Sequence, residues 1–523
     1  MITRLKVSGF KNLVGVDIRF SPFTCIAGAN GVGKSNLFDA IQFLSALSDR
    51  PLVEAAKSVR DENGKTTDIS SLFHRVGNTH DPTMKFEVEM LIPKTGQDDL
   101  GQEAEASSTF LRYTIELKYC KPQSYLKSSG SLEILHEELV HIKKKELEHS
   151  LMFDYSTVWL NSVFKAQARK APFISTDKEN DTGESQIRLH QDSGTEKGRR
   201  GGAGGKPRRF LAQKLPRTVL SDTNATESPT ALLARREMQS WRILQLEPSS
   251  LRKPDDFMAV SEAMLGVDGS HLPATLYRLA HDLVEIDESP DLEGVYSQVA
   301  NQLSELINDV KSISIDRDEK RQLLTLLVKG KDGTFHPAKA LSDGTLRFLA
   351  LAVLALDPRN QGVMALEEPE NGIHPQRIPA ILNLLQKLTN DINQPVDSYN
   401  PLRQVIINTH SPAVVQQVPE DSLLIAELKE QVSETNQQYK GVTFSDLPNT
   451  WRSKIKGVNS HHVSMGQLLA YLNPVLQDTE FNNENEASKT EDNSQESSYK
   501  GNHRPKKVYE RADIQQLTLA LES

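Results

Sequence analysis

The sequence predicts an α/β protein built on a mixed sheet with helices on both faces and interrupted by an inserted α+β arm; three observations predict it. Residues 23–27 read as a buried strand that runs straight into a glycine-rich loop and then a helix. From Leu341 to Val415 helix and strand signals alternate, as in the second half of an α/β sheet. Between these stretches, residues 51–334 lose that rhythm and read as an insertion.

Taken in order, residues 2–7 and 15–20 alternate apolar and polar positions and predict two short strands around a turn at Gly9 to Asn12. Residues 35–47 place Leu37, Ile41, Leu44 and Leu47 at helical spacing, one face against a sheet. In the arm, residues 84–92 and 109–119 are strand-like and 132–151 is mixed. Residues 232–246 turn from helical to strand-like, and 271–286 and 292–310 have helical periodicity. No heptad pattern is sustained, so no long coiled coil is encoded. Residues 478–507 are polar and almost free of aliphatics, which predicts a disordered linker, and Tyr509 to Leu521 predicts a terminal amphipathic helix.

The chain has 523 residues, enough for a large domain with insertions or about three domains. Only Cys25 and Cys120 are present, with no Cys/His cluster, so neither a disulfide framework nor a structural zinc site is expected. The start of the sequence lacks the apolar core of a signal peptide and no run approaches a membrane span, so a cytoplasmic protein with no membrane partner is expected. A formal net charge of -9 excludes the overall basic field of a dedicated nucleic-acid binder; DNA contact needs a local patch or a partner.

Gly28-Ala29-Asn30-Gly31-Val32-Gly33-Lys34-Ser35 satisfies the phosphate-loop pattern GxxxxGK[ST] between a strand and a helix, the context it requires. Glycines at Gly28, Gly31 and Gly33 let backbone N–H groups turn inward as an anion nest at a helix N-terminus. Lys34 brings a point charge to the terminal phosphates and Ser35 a hydroxyl to Mg2+, with Asn30 and Asn36 completing the ATP contacts. The bland reading, a glycine turn beside a surface lysine, does not explain the strand and helix on either side.

Val363 to Glu368 reads as a buried strand delivering two carboxylates at its end. Alternation points them in different directions, which fits Glu367 in the Mg2+ shell and Glu368 as general base for an attacking water. An apolar strand ending in Glu-Glu is ordinarily just a strand end; its position after a phosphate loop changes that.

Leu341-Ser342-Asp343-Gly344-Thr345 resembles the ABC signature loop, Glu370-Asn371-Gly372 occupies the D-loop position, and Asn408-Thr409-His410-Ser411-Pro412 resembles the switch-histidine segment. The order and flavour of these motifs resemble the RecF-like and OLD-like branch of stand-alone ABC ATPases, relatives of SMC heads, which includes ATPase subunits of anti-phage systems such as Septu. The resemblance implies an ABC-type P-loop NTPase head in two halves, 1–50 and 335–425. The arm 51–334, with a flexible basic glycine-rich loop near 176–215, an accessory region 426–477, the linker 478–507 and the terminal segment 508–523 complete the expected organisation. It further implies that Ser342 and Gly344 grip the γ-phosphate of ATP bound to a second protomer, making ATP the glue of a homodimer or higher even oligomer, and that His410 senses the γ-phosphate. DNA and a separate effector subunit are the further partners it leaves open. Glu367 stands where many ABC proteins have Asp, and no Q-loop glutamine is assigned. The interval from Lys34 to Ser342 has no room for the long coiled-coil arms of SMC proteins.

Some readings are not favoured. No Asp-x-Asp follows His410, as a TOPRIM nuclease module would need, and Ser460-His461-His462 reads as a surface group, so nuclease activity is not expected. The basic run from Lys197 to Arg217 would make a salt-sensitive nucleic-acid tether, or merely a solvated loop. His374 is expected only to shape its loop.

Overall fold

The computed structural model describes residues 1–60, 68–121, 130–167, 169, 171–177, 185–192, 206–260, 263–282, 292–307, 309–432, 438–454, 462–472, 506–512 and 514–515. A six-stranded sheet carries the phosphate loop, in the order Arg242–Leu244, Gly362–Glu367, Arg403–Thr409, Phe23–Ala27, Leu423–Val432, Gln438–Asp446. The first five strands are parallel and the last is antiparallel. Burial on both faces explains why its central strands read as continuous apolar runs rather than alternating ones.

Their two faces serve two cores. Ile26, Val363, Ala365 and Ile406 join the cluster that holds Leu37, Phe38, Ile41 and Leu44 of the phosphate-loop helix, Lys34–Leu47. Cys25, Met364, Leu366, Val405 and Ile407 pack on the other side with the helices Asp343–Leu356 and Ile378–Lys387. The first core also buries Leu5, Val7, Phe86, Val88, Leu111 and Tyr113 from a second, antiparallel sheet. That sheet has eight strands, running in space from Arg208–Leu211 to Val16–Arg19. The phosphate-loop helix is thus sandwiched between two sheets, and its 14 residues are held by tertiary burial rather than by capping.

The expected division at residues 50 and 335 does not follow these sheets. Thr83–Leu91, Phe110–Cys120 and Ser131–His141 belong to the same antiparallel sheet as Ile2–Ser8, and Arg242–Leu244 is an edge of the parallel one. The reason is that antiparallel neighbours are joined by cross-strand pairing, which no local composition shift announces. Between Arg242–Leu244 and Asp343–Leu356 the chain builds a small lobe: Leu272–Asp282, Leu292–Leu306 and a four-stranded sheet centred on Val310–Asp318 and Leu323–Gly330.

The expected flexible loop 176–215 contains two strands of the eight-stranded sheet, Gln186–Leu189 and Arg208–Leu211, while 178–184 and 193–205 lie outside the described residues. So does most of the linker 478–507. Lys507 bridges Pro419, and a 3-10 turn at Val508–Glu510 leads into helical residues 512, 514 and 515 of the expected terminal helix; 513 and 516–523 lie outside the described residues. Among the described residues no helix is long and apolar enough to cross a membrane.

Candidate nucleotide-binding and catalytic site

The parallel strands end together. Ala27 sits opposite Thr409 and Asn408 opposite Glu367, so the loops at their carboxyl ends share one rim, where α/β sheets take ligands. The rim encloses a cavity of about 680 Å³. Asn30, Gly31, Gly33, Lys34, Ser35 and Asn36 line one side, with Glu367, Glu368, Asn371 and Asn408 across from them.

Gly31 and Gly33 have φ of 80° and 103°, the left-handed region that lets the loop curl. A Cβ on Gly33 would also lie 2.3 Å from the Asn12 side-chain amide. Gly28 is on the far side of the loop, where a Cβ would meet the Ala426 carbonyl at 2.5 Å. The helix that follows has no side-chain cap and no acidic residue in its first turn, leaving its first N–H groups for an anion. Lys34 Nζ folds onto the loop, donating to the carbonyls of Gly28 and Ala29 at 2.7 and 2.8 Å. Burial lowers its pKa, against the opposing pull of Glu368, Glu370 and Glu367.

Glu367 closes its strand, and Glu368 follows with φ of 44°, an uncommon conformation for a residue with a Cβ. The two carboxylates therefore part through a backbone twist as well as strand alternation. Glu368 Oε1 accepts from His410 Nδ1 at 2.6 Å and Oε2 from Asn371 Nδ2 at 2.9 Å. Partial burial pushes the Glu368 pKa up, but these two donors outweigh it and hold the carboxyl below its usual value, ionised at neutral pH. Glu370 turns inward: it is buried, accepts a hydrogen bond from the Thr409 hydroxyl, and burial raises its pKa. His374 accepts from the Gln376 N–H at 3.3 Å and shapes its turn.

Ser342 and Gly344 are not among the residues lining the cavity. Ser342 is exposed and caps its helix by accepting from the Thr345 N–H at 3.2 Å. Gly344 is pressed against the turn Glu370 to Gly372; a Cβ there would lie 2.4 Å from the Gly372 carbonyl. His462 of the Ser460 to His462 group pairs with Asp446 at 2.6 Å; residues 460 and 461 lie outside the described residues.

Residues that were not predicted also reach this site, among them Gln245, Glu247 and Arg347 in the cavity lining and Arg60 on Glu367. Gln245 follows the three-residue strand Arg242–Leu244 into the cavity, a strand too short to announce itself. Arg347 donates to the carbonyls of Leu246 at 3.1 Å and Asn371 at 2.7 Å, tying the helix Asp343–Leu356 to two loops of the rim. Arg60 donates to Glu367, with Nη1 to Oε2 at 3.0 Å, and through Nε to Asp39 at 2.8 Å. The donor set suits Mg2+: Ser35 and Glu367 offer hard oxygens on one cavity, and the Glu367 carboxylate already holds a cationic group.

Fold and site together define a phosphate-loop ATPase of the ABC type. The chain belongs to the family described as "AAA domain, putative AbiEii toxin, Type IV TA system", whose model matches residues 23–93 and 129–416. It is also similar to the DNA replication and repair protein RecF of two strains of Porphyromonas gingivalis, 48% identical over 46 residues. That match covers 9% of this chain and only 13% of the length of those relatives. Among solved structures, an Smc head bound to the C-terminal winged-helix domain of ScpA is 14% identical, with 86% of this chain and 98% of that one covered and a TM-score of 0.41. The SMC head domain of Thermotoga maritima is 13% identical, covering 85% of this chain and 98% of that one, with a TM-score of 0.34.

Proposed function

We propose that this chain hydrolyses ATP as a pair of heads, each ATP held between the phosphate loop of one head and the signature loop of the other, and that closing and opening of the pair acts on DNA. The observation that carries the reading is a division of labour. Lys34, Ser35, Glu367 and Glu368 gather at one cavity, with His410 bonded to Glu368, while Ser342 caps an exposed helix end away from its lining. A second copy can bring Ser342 and Gly344 to the γ-phosphate.

In this reading Lys34 leaves the Gly28 and Ala29 carbonyls for the terminal phosphates, and the uncapped helix end adds N–H donors. Ser35 and Glu367 hold Mg2+, which when bound neutralises charge on the phosphates. Glu368, kept ionised by Asn371 and His410, takes the proton of the attacking water. His410 then stands next to the γ-phosphate and can report on it. The setting is cytoplasmic.

The RecF name of the relatives matched over 46 residues supports DNA as the partner. The test is ATPase rate and binding with duplex, single-stranded and ended DNA at low salt; no change in rate and no binding would remove DNA from the account. A second reading is a nucleotide-controlled scaffold that regulates a separate nuclease or toxin subunit. It is favoured by the toxin–antitoxin wording of the family description. Co-purification with the product of a neighbouring gene separates the two.

A further inference from the structure

Arg60, just past the short helix Leu52–Ser58, reaches across to the carboxylate that our reading gives to the metal. Its two terminal nitrogens take both oxygens of Glu367, a bidentate fork, and Nη2 also comes within 3.5 Å of the Ser35 carbonyl. Its Nε donates to Asp39 Oδ1 at 2.8 Å. Lys11 holds this arrangement from behind, with Nζ 2.7 Å from Asp39 Oδ2 and 2.7 Å from the Arg60 carbonyl. Asp39 is buried, so its end of the network is the anchored one, while Arg60 and the cavity-lining Glu367 are both partly exposed.

A guanidinium forked over both oxygens of a carboxylate takes one lone pair of each and sets a positive charge where a divalent cation would coordinate, so the two compete for the same carboxylate. Charge points the same way: Arg60 and Lys11 balance Asp39 and Glu367, so a divalent ion entering alone would leave the cluster with two excess positive charges. An ion arriving with nucleotide brings its own anion. Mg2+ also needs about six oxygen ligands, and Ser35 with Glu367 falls short without phosphate oxygens.

We propose that Arg60 stands in for the metal in the nucleotide-free chain, so that a divalent cation is admitted only together with a nucleotide. Phosphate charge draws the guanidinium off Glu367 while its bond to Asp39 keeps it tethered at the rim. The inference rests on the reading of Glu367 as the metal carboxylate.

The probe is Mn2+, followed by electron paramagnetic resonance in protein freed of nucleotide. Wild type should bind it weakly. Arg60→Gln should bind it roughly 10- to 1,000-fold more tightly, the usual reach of one neighbouring charge, and Arg60→Gln with Glu367→Gln should lose that gain. Arg60→Lys, which keeps the charge but not the fork, should fall between them and serves if the glutamine variant fails to fold. Unchanged nucleotide-free Mn2+ affinity in a folded Arg60 variant overturns the proposal, as does tight, Glu367-dependent Mn2+ binding by wild type. Mn2+ binding with ATP present separates the two levels. If it does not depend on Glu367, the metal assignment itself is wrong; if it does while the Arg60 variants change nothing, only the stand-in is wrong.

Discussion

Glu368→Gly should nearly abolish hydrolysis while leaving the fold as stable as before, because this residue is held in a conformation that costs stability and serves the site. At φ of 44° a side chain meets its own backbone, a strain of about 1 kcal/mol that glycine does not carry. Against that gain stand two contacts. The pair with His410 lies between groups that are 27% and 41% exposed and is worth about 0–1 kcal/mol; the Asn371 bond contributes about 0.5–1.5 kcal/mol. The net change in stability should stay within roughly 1 kcal/mol. Loss of a general base, in contrast, costs about 10²- to 10⁴-fold in rate, or about 3–5 kcal/mol of barrier. Leu346→Ala at a fully buried core position should do the reverse, costing about 2–5 kcal/mol of stability. The assays are steady-state ATP turnover and denaturant unfolding of both variants beside wild type. Turnover retained within a few-fold by Glu368→Gly, or destabilisation as large as that of Leu346→Ala, would refute the reasoning.

Lys34→Ala should lose ATP affinity in calorimetric titration, since it removes the only charge in a nest otherwise made of backbone; unchanged affinity would contradict the phosphate-loop assignment. Glu368→Gln should still bind ATP and accumulate as an ATP-dependent dimer in light scattering, because closure proceeds and the reopening step does not; a monomer at saturating ATP would count against the sandwich. Glu137 is fully buried in the first core and accepts from the Val219 and Leu220 N–H groups at 2.8 and 2.9 Å and from Tyr113 at 3.2 Å. Burial pushes its pKa up to about 7, so between the unfolded value of 4.5 and that point the folded chain keeps a proton the unfolded chain has lost. This group's contribution is then fully present below pH 4.5 and declines as pH rises to about 7, by up to about 3 kcal/mol. Glu137→Gln should flatten that part of the stability profile while costing about 1–3 kcal/mol through one backbone N–H left facing an amide. An unaltered pH slope in Glu137→Gln would show that the slope comes from elsewhere.

What could be read from residues alone divides by mechanism. The phosphate loop was legible because its glycines, lysine and serine must sit between a strand and a helix for backbone N–H groups to converge, and the strand Phe23–Ala27 and helix Lys34–Leu47 are there. The pair Glu367 and Glu368 was legible as a strand end, but not the left-handed turn at Glu368, which depends on the Asn408 carbonyl and side chain both receiving the Glu368 N–H, at 3.0 and 3.1 Å. Arg60 was invisible: it sits in an ordinary polar stretch and acquires meaning only from Glu367, far along the chain and brought near by the parallel pairing of strands. Gln245 was hidden by the brevity of its strand, and the eight-stranded sheet by its assembly from both sides of the assumed boundary at residue 50.

The central claim is that each ATP site is shared between two copies, and mixing two inactive variants tests it most directly. Lys34→Ala removes the phosphate-loop charge; Ser342→Arg puts a bulky cation at the exposed helix end that would meet the partner's γ-phosphate. A mixed pair can rebuild one complete site, from Lys34 of the signature-blocked chain and Ser342 of the other. The account predicts that ATP turnover, absent from either variant alone, returns on mixing; two variants that each hydrolyse ATP at the wild-type rate as monomers would contradict it.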